Sequence, residues 1–220
     1  MAVIVALMAM LLMSAIGASL VLTTSFEALI AANFRNAQEG LYSADAALGL
    51  AMDVLASVPD WNSALDGSTE SAFVDGPASG VRALADGSSL DLGQTVNMVN
   101  CRRATPCTAS ALTAITAQRP WGANNPVWRL FAHGPLSSLL PDSAIESADY
   151  VIVMVADDPS ENDSDPLHDG NGASNPGTGV LALRGEAFGP RGTRQVIELT
   201  VSRPGVEQGG VRVLSWRLVR

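Results

Sequence analysis

The chain has no lysine, and its first 26 residues have no charged side chain at all. Its positive charge comes from 13 arginines, which stand against 22 aspartate and glutamate residues and leave a net charge of −9. Nucleic-acid binding needs clustered positive charge. The sequence therefore argues against a nucleic-acid partner.

Histidine is also scarce, since the chain has only His133 and His168. Neither lies in a Gly-x-Ser-x-Gly, His-Glu-x-x-His or phosphate-loop motif, the short patterns that indicate hydrolase, metalloprotease and nucleotide chemistry. The two residues are far apart in sequence, and no group of nucleophile and base surrounds either of them. We therefore predict that the protein is not an enzyme.

Cysteine occurs twice, at Cys101 and Cys107, with five residues between. This spacing does not match a CxxC redox or zinc pair, and no nearby histidine completes a metal site. The sequence favours a disulfide between Cys101 and Cys107 that closes a short loop, which requires an oxidising compartment. Two free thiols remain the alternative.

The uncharged N-terminus is a long apolar segment. Residues 1–22 are long enough to cross the hydrocarbon core of a membrane, which takes about 20 apolar residues. A cleaved secretory signal has a basic start and an apolar core of only 7 to 15 residues, whereas no arginine precedes Arg35 here. We predict that residues 1–26 form a transmembrane or filament-core helix.

The helical pattern continues through residues 27–58 in amphipathic form, and its first break is Pro59. Apolar residues at steps of three or four predict one helix face, and small alanines within it let a partner helix approach closely. A simple membrane tether would not need this stripe. We therefore predict a helix-packing face for assembly, composed of Ile30, Phe34, Ala37, Leu41, Ala44, Leu48, Met52 and Leu55.

Residues 59–220 are expected to form one globular domain built on an antiparallel β-sheet. Strands are predicted at 127–133, 149–156, 179–188, 193–203 and 209–219, with a tight turn at 189–192. The run at 149–156 is continuously apolar, which indicates a strand buried on both faces. Because the sheet needs cover on its apolar face, the second half of the long helix is expected to pack on it, giving an α+β fold.

An acidic loop follows the apolar strand. Oxygen ligands of the kind that Ca²⁺ prefers are supplied there by Asp157, Asp158, Glu161, Asp163, Asp165 and Asp169. The spacing does not match an EF-hand, which needs a glutamate at its end. The sequence predicts a calcium site, with a solvated acidic loop as the alternative.

Three N-terminal segments resemble the start of a PilX-type minor pilin, a pilus assembly protein of the type IV pilin class. They are the apolar run 6–17, the pattern Glu27-x-x-Ile30-x-Ala32-Asn33-x-Arg35, and residues 44–48. Within the last segment, Asp45 stands where the family usually has glutamate and Ala47 where it usually has glycine. The resemblance implies a type IV pilin-like fold, in which a long helix packs on an antiparallel sheet.

The resemblance also implies a function. We expect a structural subunit of a type IV pilus or pilus-like filament that polymerises with other pilin subunits through their N-terminal helices. It would reside in the inner membrane before assembly and in an extracellular pilus afterwards. The mature chain would begin at or close to Met1 with an N-methylated amine. Major pilins have glutamate as the fifth mature residue, whereas this chain has Val5, which favours a minor, tip or assembly-priming subunit. The alternative is a membrane-anchored extracellular adhesin or binding domain that does not polymerise.

Overall fold

The computed structural model describes residues 1–115, 120–139, 147–170, 178–203 and 210–219. The chain forms two compact units, Met1–Gln38 and Glu39–Arg220. Helix α1, Ala2–Ser57, forms the described structure of the first unit and the first element of the second. It ends just before Pro59, as predicted, because proline disfavours helical conformation in the residue that precedes it. The second unit thus begins at Glu39, well before the domain boundary predicted at residue 59.

The second unit contains a five-stranded antiparallel sheet whose strands are neighbours in chain order. The strands of this sheet are β3 (Arg129–Pro135), β4 (Tyr150–Asp157), β5 (Val180–Phe188), β6 (Arg194–Ser202) and β7 (Arg212–Val219), and the short hairpin of β1 (Val81–Ala83) and β2 (Ser89–Asp91) precedes it. The remaining helices are α2 (Asn62–Leu65), α3 (Leu92–Cys101), α4 (Ala109–Leu112) and α5 (Leu136–Leu139). The predicted α+β class and antiparallel sheet are confirmed.

The end of α1 covers one face of the sheet. Ala44, Leu48, Ala51 and Leu55 are fully buried there. They belong to one core cluster with the inward residues Val151, Val153, Val155, Leu181, Leu183, Ile197, Leu199 and Val201. Small residues at every third or fourth position let the helix approach the strands closely. The predicted packing of the helix on the sheet is therefore present.

Polar contacts attach the same helix to the start of β4. The Ser43 hydroxyl donates to Asp149 Oδ2 at 2.6 Å, and the Ser147 hydroxyl donates to Glu39 Oε1 at 3.0 Å. Burial raises the pKa of the Asp149 carboxyl above its ordinary value, and the Ser43 hydrogen bond opposes that rise. The first turns of the second unit are thus fixed by specific hydrogen bonds as well as by apolar contact.

Helix α3 and the β2 region cover the opposite face of the sheet. Their cluster includes Leu90, Leu92, Trp128, Tyr150, Ile152, Met154 and Ala156, with Val96 and Val99 packed against it. Strand β4 is therefore buried on both faces, as its continuous apolar run predicted. Within this layer, the buried Asn100 side chain makes two hydrogen bonds to the backbone of Trp128. Its Nδ2 donates to Trp128 O, and its Oδ1 accepts from Trp128 N, each at 2.8 Å. The buried amide is satisfied in this way, as burial requires.

Paired charges join strands β5, β6 and β7 on this second face. Glu186 is fully buried and accepts from Arg184 Nε and Arg194 Nη2, each at 2.6 Å. Glu198 in turn contacts both Arg184 and Arg217. Arg184 and Glu186 alternate along β5 with the core residues Leu183 and Ala187, and they therefore lie opposite the face that α1 covers. The structure adds that they form a network, as buried charges must to offset desolvation.

Candidate functional site

The first unit exposes a continuous apolar helix surface. Leu11, Met13, Ile30 and Phe34 are 71%, 75%, 68% and 67% exposed, respectively. The helix is long and apolar enough to cross a membrane. Residues 23–25 are Thr-Thr-Ser, and each of their hydroxyls donates to the carbonyl four residues earlier. Because these hydroxyls are satisfied within the helix, the segment is suited to an apolar environment.

The structure divides the predicted assembly face in two. Ala44, Leu48 and Leu55 are buried in the core of this chain, and Leu41 and Met52 pack against it. Only Ile30 and Phe34 are strongly exposed, while Ala37 is half-buried. Assignment of the whole stripe to subunit packing is therefore corrected for residues 41–55, because these side chains cover the sheet of their own chain. The available face lies in residues 1–38.

Residues 1–48 match the family model for the PilX N-terminal domain. The N-terminal segment is similar to that of PilX-type pilins. This finding confirms the resemblance predicted from the sequence, and it supports a relation of these residues to pilus-related pilins. No curated protein and no solved structure matches the chain significantly.

The chain contains the predicted disulfide. Cys101, the last residue of α3, is bonded to Cys107, with the two Cα atoms 5.9 Å apart. Arg102, which directly follows Cys101, adopts a left-handed conformation and ends the helix. Because the closed loop is short, the loss of unfolded-state entropy corresponds to only about 2 kcal/mol of stabilisation. The cross-link is a local brace on the loop between α3 and α4.

The predicted calcium ligands lie in one loop, but most of them make hydrogen bonds within the chain. Asp158 accepts from the Ser160 hydroxyl at 2.6 Å, and Asp169 accepts from Gly179 N at 2.8 Å. Asp163 accepts from Asp165 N at 2.8 Å, and Asp165 pairs with His168 at 2.9 Å. These carboxylates therefore shape the loop through contacts within the chain.

Four of the six side chains are buried, namely Asp157, Asp158, Glu161 and Asp169. Burial, followed by the charge of Glu161, raises the pKa of Asp157 from 3.8 to about 8. Its Oδ1 atom is buried and accepts no hydrogen bond from the described residues. Within the described ranges, no three acidic, histidine or cysteine side chains converge closely enough to hold a metal ion. Calcium binding by this loop stays a prediction.

The Asp157→Asn substitution should remove a pH dependence of stability. Between pH 4 and pH 8 the Asp157 carboxyl stays protonated in the folded state and is ionised in the unfolded state. Rising pH therefore lowers the free energy of unfolding by up to about 1.4 kcal/mol per pH unit. Urea unfolding of both proteins with a chelator present measures this slope. The exposed-site variant Asp53→Asn should retain the wild-type slope, and an equal slope in Asp157→Asn would contradict the prediction.

Sequence reasoning missed helix α3 and an extended segment at residues 71–75. A signal for α3 was present, because Asp91 followed by Gln94 is a capping pattern, and Asp91 Oδ1 does accept from Gln94 N at 2.9 Å. Segment 71–75 had no such signal, because it is too short to show alternation. It pairs with the outer edge of β3 through a parallel bridge between Val74 and His133.

Proposed function

We propose that this chain is a minor subunit of a type IV pilus or pilus-like filament, which joins other pilin subunits through its N-terminal helix. The observation that carries the proposal is the match of residues 1–48 to the PilX N-terminal domain on a helix whose apolar side chains are exposed. An apolar surface of this size needs lipid or other protein as cover. A pilin has both in succession, the membrane first and the filament core afterwards.

Val5 supports a position at or near the filament tip. A carboxylate in an apolar helix core is costly unless a neighbouring charge pairs with it. A pilin with glutamate at this position needs the amine of an adjacent subunit, whereas Val5 needs none. A subunit that does not need this pairing with an adjacent subunit can begin a filament or end one.

The same proposal predicts where the protein resides and how its N-terminus is modified. The chain resides in the inner membrane until assembly and then in an extracellular filament, where the Cys101–Cys107 disulfide suits an oxidising environment. We expect the N-terminal amine of the mature protein to be methylated. Mass spectrometry of filament-borne protein tests this, and an unmodified N-terminal amine would contradict it.

The double substitution Ile30→Asp, Phe34→Asp should abolish incorporation into filaments. Both side chains are exposed within the first unit, so their loss leaves the core of the second unit intact. Two carboxylates on this face cost several kcal/mol in an apolar environment. Immunogold electron microscopy of sheared filaments, with antibody to this chain, measures incorporation. The Asn36→Asp variant, which adds a charge outside the stripe, should assemble normally.

Two outcomes of that experiment would change the assignment. Normal filament labelling with the double variant would mean that this helix face does not mediate assembly. Wild-type protein that remains in the membrane and never labels filaments would favour an anchored adhesin or binding domain instead.

We also propose that the acidic loop binds Ca²⁺. The proposal is supported by the carboxyl of Asp157, which is 96% buried with an Oδ1 atom lacking a hydrogen-bond donor in the described chain. Binding to the folded state alone would add about 2.7 kcal/mol at a hundredfold excess over Kd, with Kd in the range of about 10⁻⁴ to 10⁻³ M for extracellular sites. Thermal melts with calcium, magnesium and chelator test it. Identical midpoints with calcium and with chelator would leave a solvated acidic loop.

A further inference from the structure

Among the described residues, the sheet has two edges without a further paired strand, and the first is formed by residues 71–75. This segment extends the sheet beyond β3, since Ser71 N donates to Phe131 O and His133 N donates to Phe73 O, both at 3.0 Å. The backbone groups of Ala72 and Val74 make no hydrogen bond to any described residue, and both residues are exposed. The outer side of this segment is therefore free to pair with another strand.

The second open edge is β7, which pairs only with β6 among the described strands. Natural proteins usually protect such an edge by making it short or by covering it. Here the strand is eight residues long, and Val213, Leu214 and Trp216 are 42%, 51% and 51% exposed. An edge of this length and apolar character is a surface for strand addition.

The two edges carry opposite charge. We call residues 66–75 the acidic edge, because Asp66, Glu70 and Asp75 are exposed there. Asp75 is paired with Arg82, and so the charge of this edge rests mainly on Asp66 and Glu70. We call β7 the basic edge, because Arg212 is exposed; the Arg217 side chain is also 68% exposed, although it pairs with Glu198. The sequence shows the same asymmetry, since residues 184–220 contain seven arginines and three glutamates in a chain of net charge −9. Like edges therefore repel one another, whereas unlike edges attract.

The two edges also run in the same direction. Strands β3, β5 and β7 share one direction because each successive pair in the sheet is antiparallel. Segment 71–75 is parallel to β3 and hence to β7. Two copies in the same orientation can therefore place the basic edge of one beside the acidic edge of the other as parallel strands.

The side chains of the two edges also match by face. Trp216 lies opposite Leu199, a member of the core under α1, and Phe73 packs against that same core. When the sheet continues from one copy to the next, both aromatic residues lie on its α1 side. The apolar surface of Trp216 thereby gains an apolar neighbour.

We propose that copies of this chain associate head to tail, with the basic edge of one copy adding to the acidic edge of the next. The proposal deepens the proposed pilus function, on which it rests. A contact between two different surfaces leaves one edge of each kind unused in every pair, and so further copies can join in the same orientation. A minor subunit needs only a short run of such copies at one end of the filament. The charges select this arrangement over the two symmetric ones.

Thiol cross-linking between single-cysteine variants tests the geometry. Full-length Ala72→Cys and Ser215→Cys proteins, purified in detergent, are mixed and treated with a short bifunctional thiol reagent; the native cysteines are already joined. The mixed 72–215 product should exceed the 72–72 and 215–215 products several-fold, and high salt should reduce it. The exposed Ala114→Cys variant is the matched control, which should cross-link poorly to Ser215→Cys. Symmetric products in excess, or a mixed yield no higher than the control, would overturn the proposal.

Charge exchange tests the electrostatic part. Glu70→Arg or Arg212→Glu, each introduced into both cross-linking partners, should lower the mixed product, and the two substitutions together should restore it. Failure of restoration would show that the edges do not meet. The filament test stands apart: a chain that labels filaments but gives no 72–215 product refutes head-to-tail stacking alone. A chain that gives the product but never enters filaments refutes the pilus function alone.

Discussion

A chain that begins at Glu39 should fold into a stable soluble protein, whereas a chain that begins at Pro59 should not fold. The reason is the second half of α1, which contributes Ala44, Leu48, Ala51 and Leu55 to the core. Each buried leucine alone is worth about 2 to 5 kcal/mol, and the whole domain is expected to have only about 5 to 15 kcal/mol of stability. Removal of the helix also exposes the apolar face of β4, β5 and β6 to water.

Circular dichroism and urea unfolding of the two fragments measure this difference. The 39–220 fragment should give a cooperative transition, and the 59–220 fragment should aggregate or unfold without one. Within the longer fragment, Leu48→Ala should lower the free energy of unfolding by about 2 to 5 kcal/mol. Tyr42→Ala is the matched control, since Tyr42 is 69% exposed on the same helix and should change stability by less than about 0.5 kcal/mol. A cooperative, native-like 59–220 fragment would contradict the assignment of α1 to this core.

The result matters for function because it separates the part of α1 that folds into the domain from the part that is available to lipid or to other subunits. Residues 44–55 are already buried within the chain, and so the proposed packing between subunits would depend on residues 1–38. Substitutions at Ile30 and Phe34 then report on assembly, whereas substitutions after Glu39 report on folding. A variant at Leu41, which packs against the core, would confuse the two.

The strands were predictable because their side chains alternate or remain continuously apolar. In β5 and β6, the inward residues Leu183 and Leu199 face each other, as the alternation required. The helix was predictable for the same reason, since a repeat of three or four residues defines a face. Periodicity cannot say what covers that face, however, and for this reason the division between residues 30–34 and 41–55 needed the structure.

The acidic loop shows a second limit of sequence reasoning. The cluster of carboxylates was evident, but the backbone groups they bond were not. Asp169 accepts from Gly179 N, ten residues later, and such a contact depends on how the loop returns to β5. Segment 71–75 was missed for a related reason, because its strand character comes from the edge of β3 rather than from its own sequence.

The second large effect concerns Gly185, which lies in the middle of β5 directly beneath α1. A Cβ atom at this position would lie 2.7 Å from Leu48 Cγ and 3.0 Å from the Ala44 carbonyl oxygen. The leucine side chain can rotate away, but the carbonyl belongs to the helix backbone and cannot. Glycine at position 185 therefore sets how closely the helix approaches the sheet.

Gly185→Val should lower the free energy of unfolding of the 39–220 fragment by about 3 kcal/mol or more, the upper part of the range for overpacked cores. Valine favours strands, but that preference is worth at most about 1 kcal/mol and does not offset the displacement of a helix.

Gly49→Ala is the opposite control: its Cβ would meet nothing within 4 Å, and the gain in helix propensity is about 1 kcal/mol. Urea unfolding should thus show the two glycine substitutions changing stability in opposite directions. Equal or greater stability of Gly185→Val would mean that α1 does not pack closely on β5 at this point.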